Sequence, residues 1–272
     1  MGGELFDVII REPQVPDAGI RTIFKSILAG IKHVHDKNMA HRDLKMENIL
    51  LDENFVIKVA DFGTAKAADD EGNLKTHIGT PGYMAPEVAS GKYNAFAADV
   101  FSLGCVLFMI LTRIPVTEGK CIKTDGVFKH LYNGRPDLYW EDRIKISSRY
   151  RSVFTAPSDL RDLISGMLCY DPERRLTMQQ VMDHEYLKGK TASQSQLSRF
   201  FSKRLAGSNP EQEKIRQKML APKSKVYMCG DSGAQIEDMA VVLESLDEHE
   251  TTAKKFNVLY SEAHPVLLMQ LI

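Results

Sequence analysis

The sequence predicts an α+β fold that is mainly α-helical and contains one small β-hairpin. Between Pro16 and His35 the apolar residues recur at steps of three and one, which predicts a one-sided amphipathic helix. The run Val100–Leu111 contains no charged residue and predicts a buried central helix. Two short runs rich in branched apolar residues, 49–51 and 56–59, flank the polar turn Asp52-Glu53-Asn54 and predict the hairpin.

Composition and charge narrow the classes of function. The 272 residues include 35 Lys plus Arg and 36 Asp plus Glu, a balance that gives no overall case for binding nucleic acid or a membrane surface. The four cysteines show neither a C-x-x-C pair nor metal-site spacing, so we expect free thiols in a reducing compartment. The run Val100–Leu111 is too short to span a bilayer, and no signal peptide is visible. We therefore expect an intracellular, cytoplasmic protein.

The predicted hairpin brings polar residues together at one end. The segment His41–Asn48 leads into its first strand, and Asp61-Phe62-Gly63 follows its second strand. Because a hairpin returns the chain to its starting point, we expect four side chains to converge there: Asp43, Lys45, Asn48 and Asp61. Such a group suits phosphoryl transfer, which needs oxygen ligands for metal ions and a carboxylate to orient the attacking hydroxyl.

Three motifs resemble those of the eukaryotic protein serine/threonine kinase family. His41–Asn48 matches the catalytic loop H-R-D-x-x-x-x-N, and Asp61–Gly63 matches D-F-G. Gly79–Glu87 closely matches the family pattern G-T-P-x-Y-x-A-P-E. The resemblance covers residues 1–187 and implies a protein-kinase-like fold, represented here by the helical large lobe with its catalytic hairpin.

The resemblance implies a role for each polar residue in the chemistry. Asp43 would be the base or orienting group for the hydroxyl of a protein substrate, and Lys45 would contact the transferring phosphate. Asn48 and Asp61 would be the ligands of Mg²⁺ beside ATP. Thr80 would bond both Asp43 and Lys45, which couples the substrate-docking loop to the base.

Three further residues are expected at the nucleotide or the substrate. Leu50 would form the apolar floor under the adenine. Glu4 would reach the ATP ribose and a basic residue of the substrate, although an acid at the start of an N-terminal helix explains it equally well. Glu47 is the other acid available to a basic peptide.

The resemblance also implies two buried carboxylates with structural roles. Glu87 would pair with Arg175 inside the lobe. Asp99 would accept backbone N–H bonds from the catalytic loop, because a buried carboxylate needs such donors.

Thr76 lies between the two anchors of the activation segment, Asp61–Glu87, and is a candidate phosphorylation site. Arg42 and Lys66 are the basic residues available to pair with a phosphate there. An unmodified loop threonine is the alternative.

The sequence contains neither the G-x-G-x-x-G loop nor the strand Lys and helix Glu of the family's small lobe. We therefore expect these 272 residues by themselves to transfer phosphate poorly. Two alternatives to an active kinase stay open: an inactive large-lobe binding module, or a fragment of a longer active kinase. Metabolite kinases share a related Asp and Asn, but Gly79–Glu87 argues against them because it builds a peptide-docking surface.

The chain divides into three regions. Residues 1–188 form the kinase large lobe, where Pro157-Ser158-Asp159-Leu160 predicts the start of a capped helix and Thr177 caps another. Residues 189–224 are rich in Ser, Gln, Lys and Arg and predict a basic polar linker with a helix at about 210–219. Residues 225–272 predict a small α/β extension that is a candidate site for a regulatory partner.

Overall fold

The computed structural model describes residues 3–10, 14–69, 71–117, 121, 124–126, 128–146 and 156–205. Its helices are α1 (Leu5–Ile9), α2 (Asp17–Asp36), α3 (Ala95–Thr112), α4 (Lys129–Tyr132), α5 (Pro136–Ile146), α6 (Ser158–Met167), α7 (Met178–Met182), α8 (Glu185–Lys188) and α9 (Gln194–Leu205). Its strands are β1 (Gly3–Glu4), β2 (Met39–Ala40), β3 (Ile49–Leu51), β4 (Ile57–Val59), β5 (Lys66–Ala67), β6 (Asn73–Leu74) and β7 (Tyr93–Asn94). This is the mainly helical α+β architecture that the sequence predicts.

Helix α3 forms the centre of the hydrophobic core. It starts where the Asn94 side chain accepts a bond from the Ala97 amide, and it ends where Arg113 takes a left-handed conformation. The helix is longer than the predicted run, and by length and composition alone it could cross a bilayer. However, 89% of its residues are buried inside the fold, as expected for a core helix.

Helix α2 is amphipathic, as predicted, and its apolar side packs beneath the catalytic hairpin through β4. The buried apolar residues of this side are Ile20, Ile23, Phe24, Ile27, Leu28, Ile31 and Val34. Arg21 is also buried, although its charge would place it on the solvent side of a simple amphipathic pattern. The Arg21 side chain instead binds backbone carbonyls at the end of the lobe.

The predicted hairpin is confirmed, with Ile49 paired to Val59 and Leu51 paired to Ile57. Its turn is closed by Asp52, whose Oδ1 accepts bonds from the amides of Asn54 and Val56, each at 2.8 Å. Strand β1 adds a third strand to the sheet, which has the order β1-β3-β4. One of the two interpretations of Glu4 placed it at the start of an N-terminal helix; Glu4 lies in β1, and helix α1 begins directly after it.

The lower part of the lobe confirms one predicted helix cap and corrects another. Thr177 caps α7 in a reciprocal capping box with Gln180, which satisfies a backbone donor at the helix start and one at the cap. Helix α6 begins at Ser158 after Pro157, but no described side chain caps it, so the predicted cap there is wrong.

The prediction of a solvated polar linker from residue 189 fails for residues 194–205. Residues 194–205 form α9, and its Leu197 and Phe201 are buried against the lobe. The apolar side of this helix is short and interrupted by Ser, Gln and Arg, so the sequence pattern of the segment is typical of a solvated linker. The helix predicted at about 210–219 and the α/β extension at 225–272 lie outside the described residues.

Candidate active site

The buried carboxylate of Asp99 holds the catalytic loop in place. Its two oxygens accept bonds from the His41 amide at 2.8 Å and the Arg42 amide at 2.9 Å, which confirms the predicted role. His35 of α2 adds a third contact, with Nε2 2.9 Å from Asp99 Oδ2. Burial alone would raise the pKa of Asp99, but the hydrogen bonds that its carboxylate accepts, first that from His35 and then that from the Arg42 amide, favour the charged form, and the net effect lowers that pKa.

His41 is fully buried and bonded through both ring nitrogens. Its Nε2 lies 3.0 Å from the Ala60 carbonyl, and its Nδ1 lies 3.3 Å from the Asp43 amide nitrogen. One partner accepts and the other donates, which is the pattern that a neutral imidazole satisfies. Burial lowers the pKa of His41, despite the opposing effect of nearby carboxylates. This histidine therefore joins the two ends of the hairpin as a neutral structural group.

Asp43, Lys45 and Thr80 form a closed triangle of hydrogen bonds. Thr80 Oγ1 donates to Asp43 Oδ1 at 2.6 Å, and Lys45 Nζ donates to Asp43 Oδ2 at 2.7 Å. Lys45 Nζ also donates to Thr80 Oγ1 at 3.1 Å. Both carboxylate oxygens therefore accept bonds from charged or polar donors, which fixes the direction of the group. The structure places these three residues together, as the sequence predicts.

Asn48 and Asp61 come together through the hairpin backbone. The Asn48 side-chain nitrogen donates to the Asp43 carbonyl at 2.8 Å, and the Asn48 carbonyl accepts from the Ala60 amide at 2.8 Å. Asp61 follows Ala60 in a left-handed conformation, with φ 58°, and its carboxylate is exposed.

A pair of oxygen ligands of this kind fits Mg²⁺, which commonly uses one or two protein groups and completes its shell with phosphate oxygens and water. With its nitrogen bonded to Asp43, the Asn48 amide leaves its oxygen as the ligand atom. Within the described ranges, no three His, Cys, Asp or Glu side chains form a cluster that could hold a metal alone. The residues therefore fit an ion shared with a phosphate group.

The residues predicted at the nucleotide lie on the three-stranded sheet. Glu4 in β1 is directly paired with Leu50 in β3, and both are half-buried. Glu47 is half-buried in the short 3-10 helix Met46–Asn48. Burial raises the pKa of Tyr83 well above the usual value, and the charge of Glu47 adds to this effect, so Glu47 lies near the Gly79–Glu87 segment. The roles of these three residues in binding stay predictions.

The predicted pair of Glu87 and Arg175 is present and buried. The two Arg175 terminal nitrogens lie 2.5 and 2.9 Å from the two Glu87 oxygens, a bidentate arrangement. Arg175 also donates to the carbonyls of Ala97 and Cys169, at 2.8 and 3.0 Å. Its guanidinium lies 5.0 Å from the centre of the Phe101 ring. The pair therefore fastens the end of the activation segment to the central helix.

Thr76 is exposed on the activation segment, and its carbonyl accepts a bond from the Tyr93 hydroxyl at 3.0 Å. Burial raises the pKa of Tyr93, and the Arg42 guanidinium partly offsets this, so Arg42 lies beside the same hydroxyl. Arg42 also donates through Nε to the Thr64 carbonyl at 2.6 Å. Lys66 is exposed in β5. Arg42 thus lies on the Thr76 side of the loop, whereas the phosphorylation of Thr76 stays a prediction.

His35 and Tyr93 are the site residues that the sequence interpretation missed. His35 lies in the last turn of α2, next to the buried Val34. A polar residue beside the apolar side of the predicted helix was the signal that could have indicated a buried partner. Tyr93 carries no motif, and only the fold brings it to Thr76.

Comparison with known proteins agrees with this geometry. A family model described as "Protein kinase domain" matches residues 1–187. The chain therefore belongs to the protein kinase domain family. Over 191 residues it is 38% identical to the probable serine/threonine-protein kinase HSL1 of Saccharomyces cerevisiae, covering 69% of this chain and 11% of that protein.

Two other relatives carry the same kind of name. The serine/threonine protein kinase OSK3 of Oryza sativa subsp. indica is 35% identical over 191 residues, or 68% of this chain and 34% of that protein. The serine/threonine-protein kinase GIN4 of S. cerevisiae is 37% identical over 195 residues, or 68% of this chain and 15% of that protein. The chain thus spans 11 to 34% of the length of these three relatives.

The buried ion pair gives a stability prediction. Glu87→Gln removes the charge facing a guanidinium whose side chain is fully buried, and we expect it to lower the free energy of unfolding by about 3 kcal/mol. The matched control is Glu185→Gln, which breaks an exposed pair with Lys188 and should leave the free energy of unfolding nearly unchanged. Urea denaturation measures both changes. Equal effects of the two substitutions would show that the buried pair does not fasten the segment.

The buried imidazole gives a pH prediction. Because burial lowers the pKa of His41 below its unfolded value of about 6.5, the unfolded chain binds more protons at this residue as the pH falls. The contribution of His41 to stability is therefore present above about pH 6.5 and declines below it. Histidine Cε1 resonances followed by NMR, with His41→Asn for assignment, should show a ring that stays neutral below pH 6.5. Titration of His41 at or above pH 6.5 would contradict this.

Proposed function

We propose that this protein transfers the γ-phosphate of ATP, in the presence of Mg²⁺, to a Ser or Thr hydroxyl of a protein substrate. The observation that carries the proposal is the triangle of Asp43, Lys45 and Thr80, in which a carboxylate is oriented by two donors. Membership of the protein kinase family and the names of the relatives support the same reaction class.

In this mechanism Asp43 orients the substrate hydroxyl and takes its proton as the new O–P bond forms. Lys45 compensates negative charge that develops on the transferred group, and Thr80 keeps Asp43 pointing toward the docking segment. Asn48 and Asp61 would hold Mg²⁺, which neutralises phosphate charge when it is bound. ADP is the leaving group. Because the substrate hydroxyl attacks the phosphate directly, these roles require no covalent intermediate with the protein.

The Lys at position 45 followed by Gly79-Thr80 supports a Ser or Thr acceptor rather than Tyr, by resemblance to that branch of the family. Glu47 and Glu4 are the carboxylates that the family resemblance offers to a basic residue near the acceptor, and both are half-buried. A partly desolvated carboxylate binds a cation more strongly than one in bulk water.

The first test measures transfer of labelled phosphate from Mg²⁺·ATP to a basic Ser/Thr-containing protein by the 272-residue chain. Asp43→Asn removes the proton acceptor and should lower the rate by roughly 10²–10⁴-fold. The matched control is Asp36→Asn, which alters an exposed carboxylate at the end of α2 and should leave the rate unchanged. Phosphoamino-acid analysis of the product should give phosphoserine or phosphothreonine.

The outcomes separate the proposal from its alternatives. Transfer that survives Asp43→Asn would exclude Asp43 as the base and point to a contaminating kinase. Absence of transfer by the wild-type chain would contradict the activity of these 272 residues alone. In that case a binding module, or a catalytic part that needs further polypeptide for its phosphate clamp, becomes the better interpretation.

The second test examines whether Thr76 is phosphorylated and whether the phosphate raises activity. A phosphate there would lie on the side of the loop where Arg42 and the Tyr93 hydroxyl are found, and would order the activation segment by charge-assisted bonds. Thr76→Ala should lower transfer by about tenfold, the equivalent of one such bond. Thr191→Ala, at another exposed threonine, serves as the control. Mass spectrometry of active protein that finds no phosphate on Thr76 would remove this proposal.

A further inference from the structure

Helix α9 lies beyond the residues matched by the family model, yet it contacts segments that adjoin the sheet of the predicted nucleotide residues. The match ends at residue 187, whereas α9 spans Gln194–Leu205. Its contacts reach two such segments, the hairpin turn and helix α1, which follows β1.

Two polar residues of α2 bind the segment that leads into α9. The buried Arg21 donates to the carbonyls of Tyr186 and Lys190, each at 2.6 Å. Thr22 exchanges bonds with Ala192, since its hydroxyl donates to the Ala192 carbonyl at 3.0 Å and accepts from the Ala192 amide at 2.8 Å. The segment before α9 is therefore fixed to the body of the lobe, and the position of α9 is specified by these bonds.

The first half of α9 binds the turn of the catalytic hairpin. The Gln194 side-chain nitrogen donates to the carbonyls of Asn54 and Phe55, at 3.0 and 3.1 Å. Ser198, one helical turn later, donates to the same Asn54 carbonyl at 3.3 Å. Phe55 has a left-handed backbone with φ 59°, a conformation that a bulky residue rarely adopts without support from its surroundings.

The same side of α9 buries an aromatic residue against this turn. Phe201 is fully buried, and its ring centre lies 6.1 Å from that of Phe55. Polar and apolar contacts of α9 therefore converge on two adjacent residues of the turn, Asn54 and Phe55. The turn is one strand length from the catalytic end of the hairpin, or about 10 Å at the usual rise of a strand.

The second half of α9 binds helix α1, which follows the first strand of the same sheet. The buried Arg204 donates through Nη1 to the Val8 carbonyl in α1 at 2.6 Å. Helix α1 follows β1 directly, and β1 places Glu4 opposite Leu50. One helix thus contacts both the hairpin turn and the helix that extends its neighbouring strand.

We propose that α9 is a positioning element for the nucleotide side of the site, acting through Gln194, Ser198 and Phe201 on the hairpin and through Arg204 on α1. This inference rests on the proposed function, because Glu4, Leu50, Asn48 and Asp61 are the residues whose positions it controls. Asp43 and Thr80 are held by other contacts, through Lys45 and Asp99, so loosening α9 affects nucleotide binding more than substrate binding.

The test uses the 272-residue chain with the double substitution Gln194→Ala/Ser198→Ala, which removes the three polar bonds to the turn and leaves the apolar contacts in place. Hydrogen exchange without any ligand is the first readout. The amides of Phe55 and Val56, and the Ala60 amide that closes the hairpin on Asn48, should exchange about tenfold faster, equivalent to one or two net hydrogen bonds. Amides in the middle of α3 should be unchanged.

The second readout is the dissociation constant of a fluorescent trinitrophenyl-ATP with Mg²⁺, which should rise roughly three- to tenfold. In transfer assays the KM for ATP should rise by the same factor, while the KM for the protein substrate stays constant. The matched control is Arg199→Ala/Ser202→Ala, two exposed positions on the same helix, which should reproduce the wild type in every readout.

Each outcome either supports or overturns the inference. Faster exchange at Ala60, with a selective rise in the nucleotide dissociation constant, supports it. Faster exchange limited to the turn amides of Phe55 and Val56 overturns it, because the effect then fails to reach the catalytic end. Faster exchange throughout α3 also overturns it, since α9 would then be a general stabiliser. If the wild-type chain neither binds nor transfers nucleotide, the proposed function fails, and exchange at Ala60 still decides whether α9 positions the hairpin.

Discussion

The rest of the site depends on one desolvated negative charge, the carboxylate of Asp99 at the start of the central helix. It is 1% exposed, and a buried charge without donors would cost several kcal/mol, on the order of its lost hydration. The catalytic loop supplies those donors from the backbone of His41 and Arg42, with Arg42 in a left-handed conformation, φ 70°. The loop is therefore shaped by the need to satisfy Asp99, and the position of Asp43 follows from that shape.

Buried arginines also need hydrogen-bond partners, and they find them on segments that are distant in sequence. Arg175 joins the end of the activation segment to α3, Arg21 joins α2 to the end of the lobe, and Arg204 joins α9 to α1. In each case a guanidinium, which has several donors and cannot lose its charge, binds a carboxylate or backbone carbonyls in a fixed geometry. Each contact therefore specifies the relative position of two elements, which apolar packing alone defines less sharply.

Structural residues and candidate catalytic residues of the same loop are hydrogen-bonded to one another. His41 satisfies its ring with Ala60 on one side and the Asp43 amide on the other, so a neutral structural residue connects the second hairpin strand with the base. Asn48 likewise bonds Asp43 through its nitrogen and leaves its oxygen for a metal ion. A change that moves the hairpin is therefore expected to move the metal ligands more than Asp43, whose backbone is tied to Asp99 through the residues before it.

The sequence by itself determined the helices α2 and α3, the hairpin and the Thr177 cap, and its catalytic-loop and G-T-P motifs implied the meeting of Asp43, Lys45 and Thr80. These features follow from local periodicity, turn residues or a contiguous motif. Tertiary structure alone decided the pairing of Glu4 with Leu50, the contact of His35 with Asp99 and the docking of α9 on the hairpin. Such contacts join residues 46 to 140 positions apart, and local patterns carry no information about them, because the partner of a polar side chain is chosen by the packing of the whole lobe.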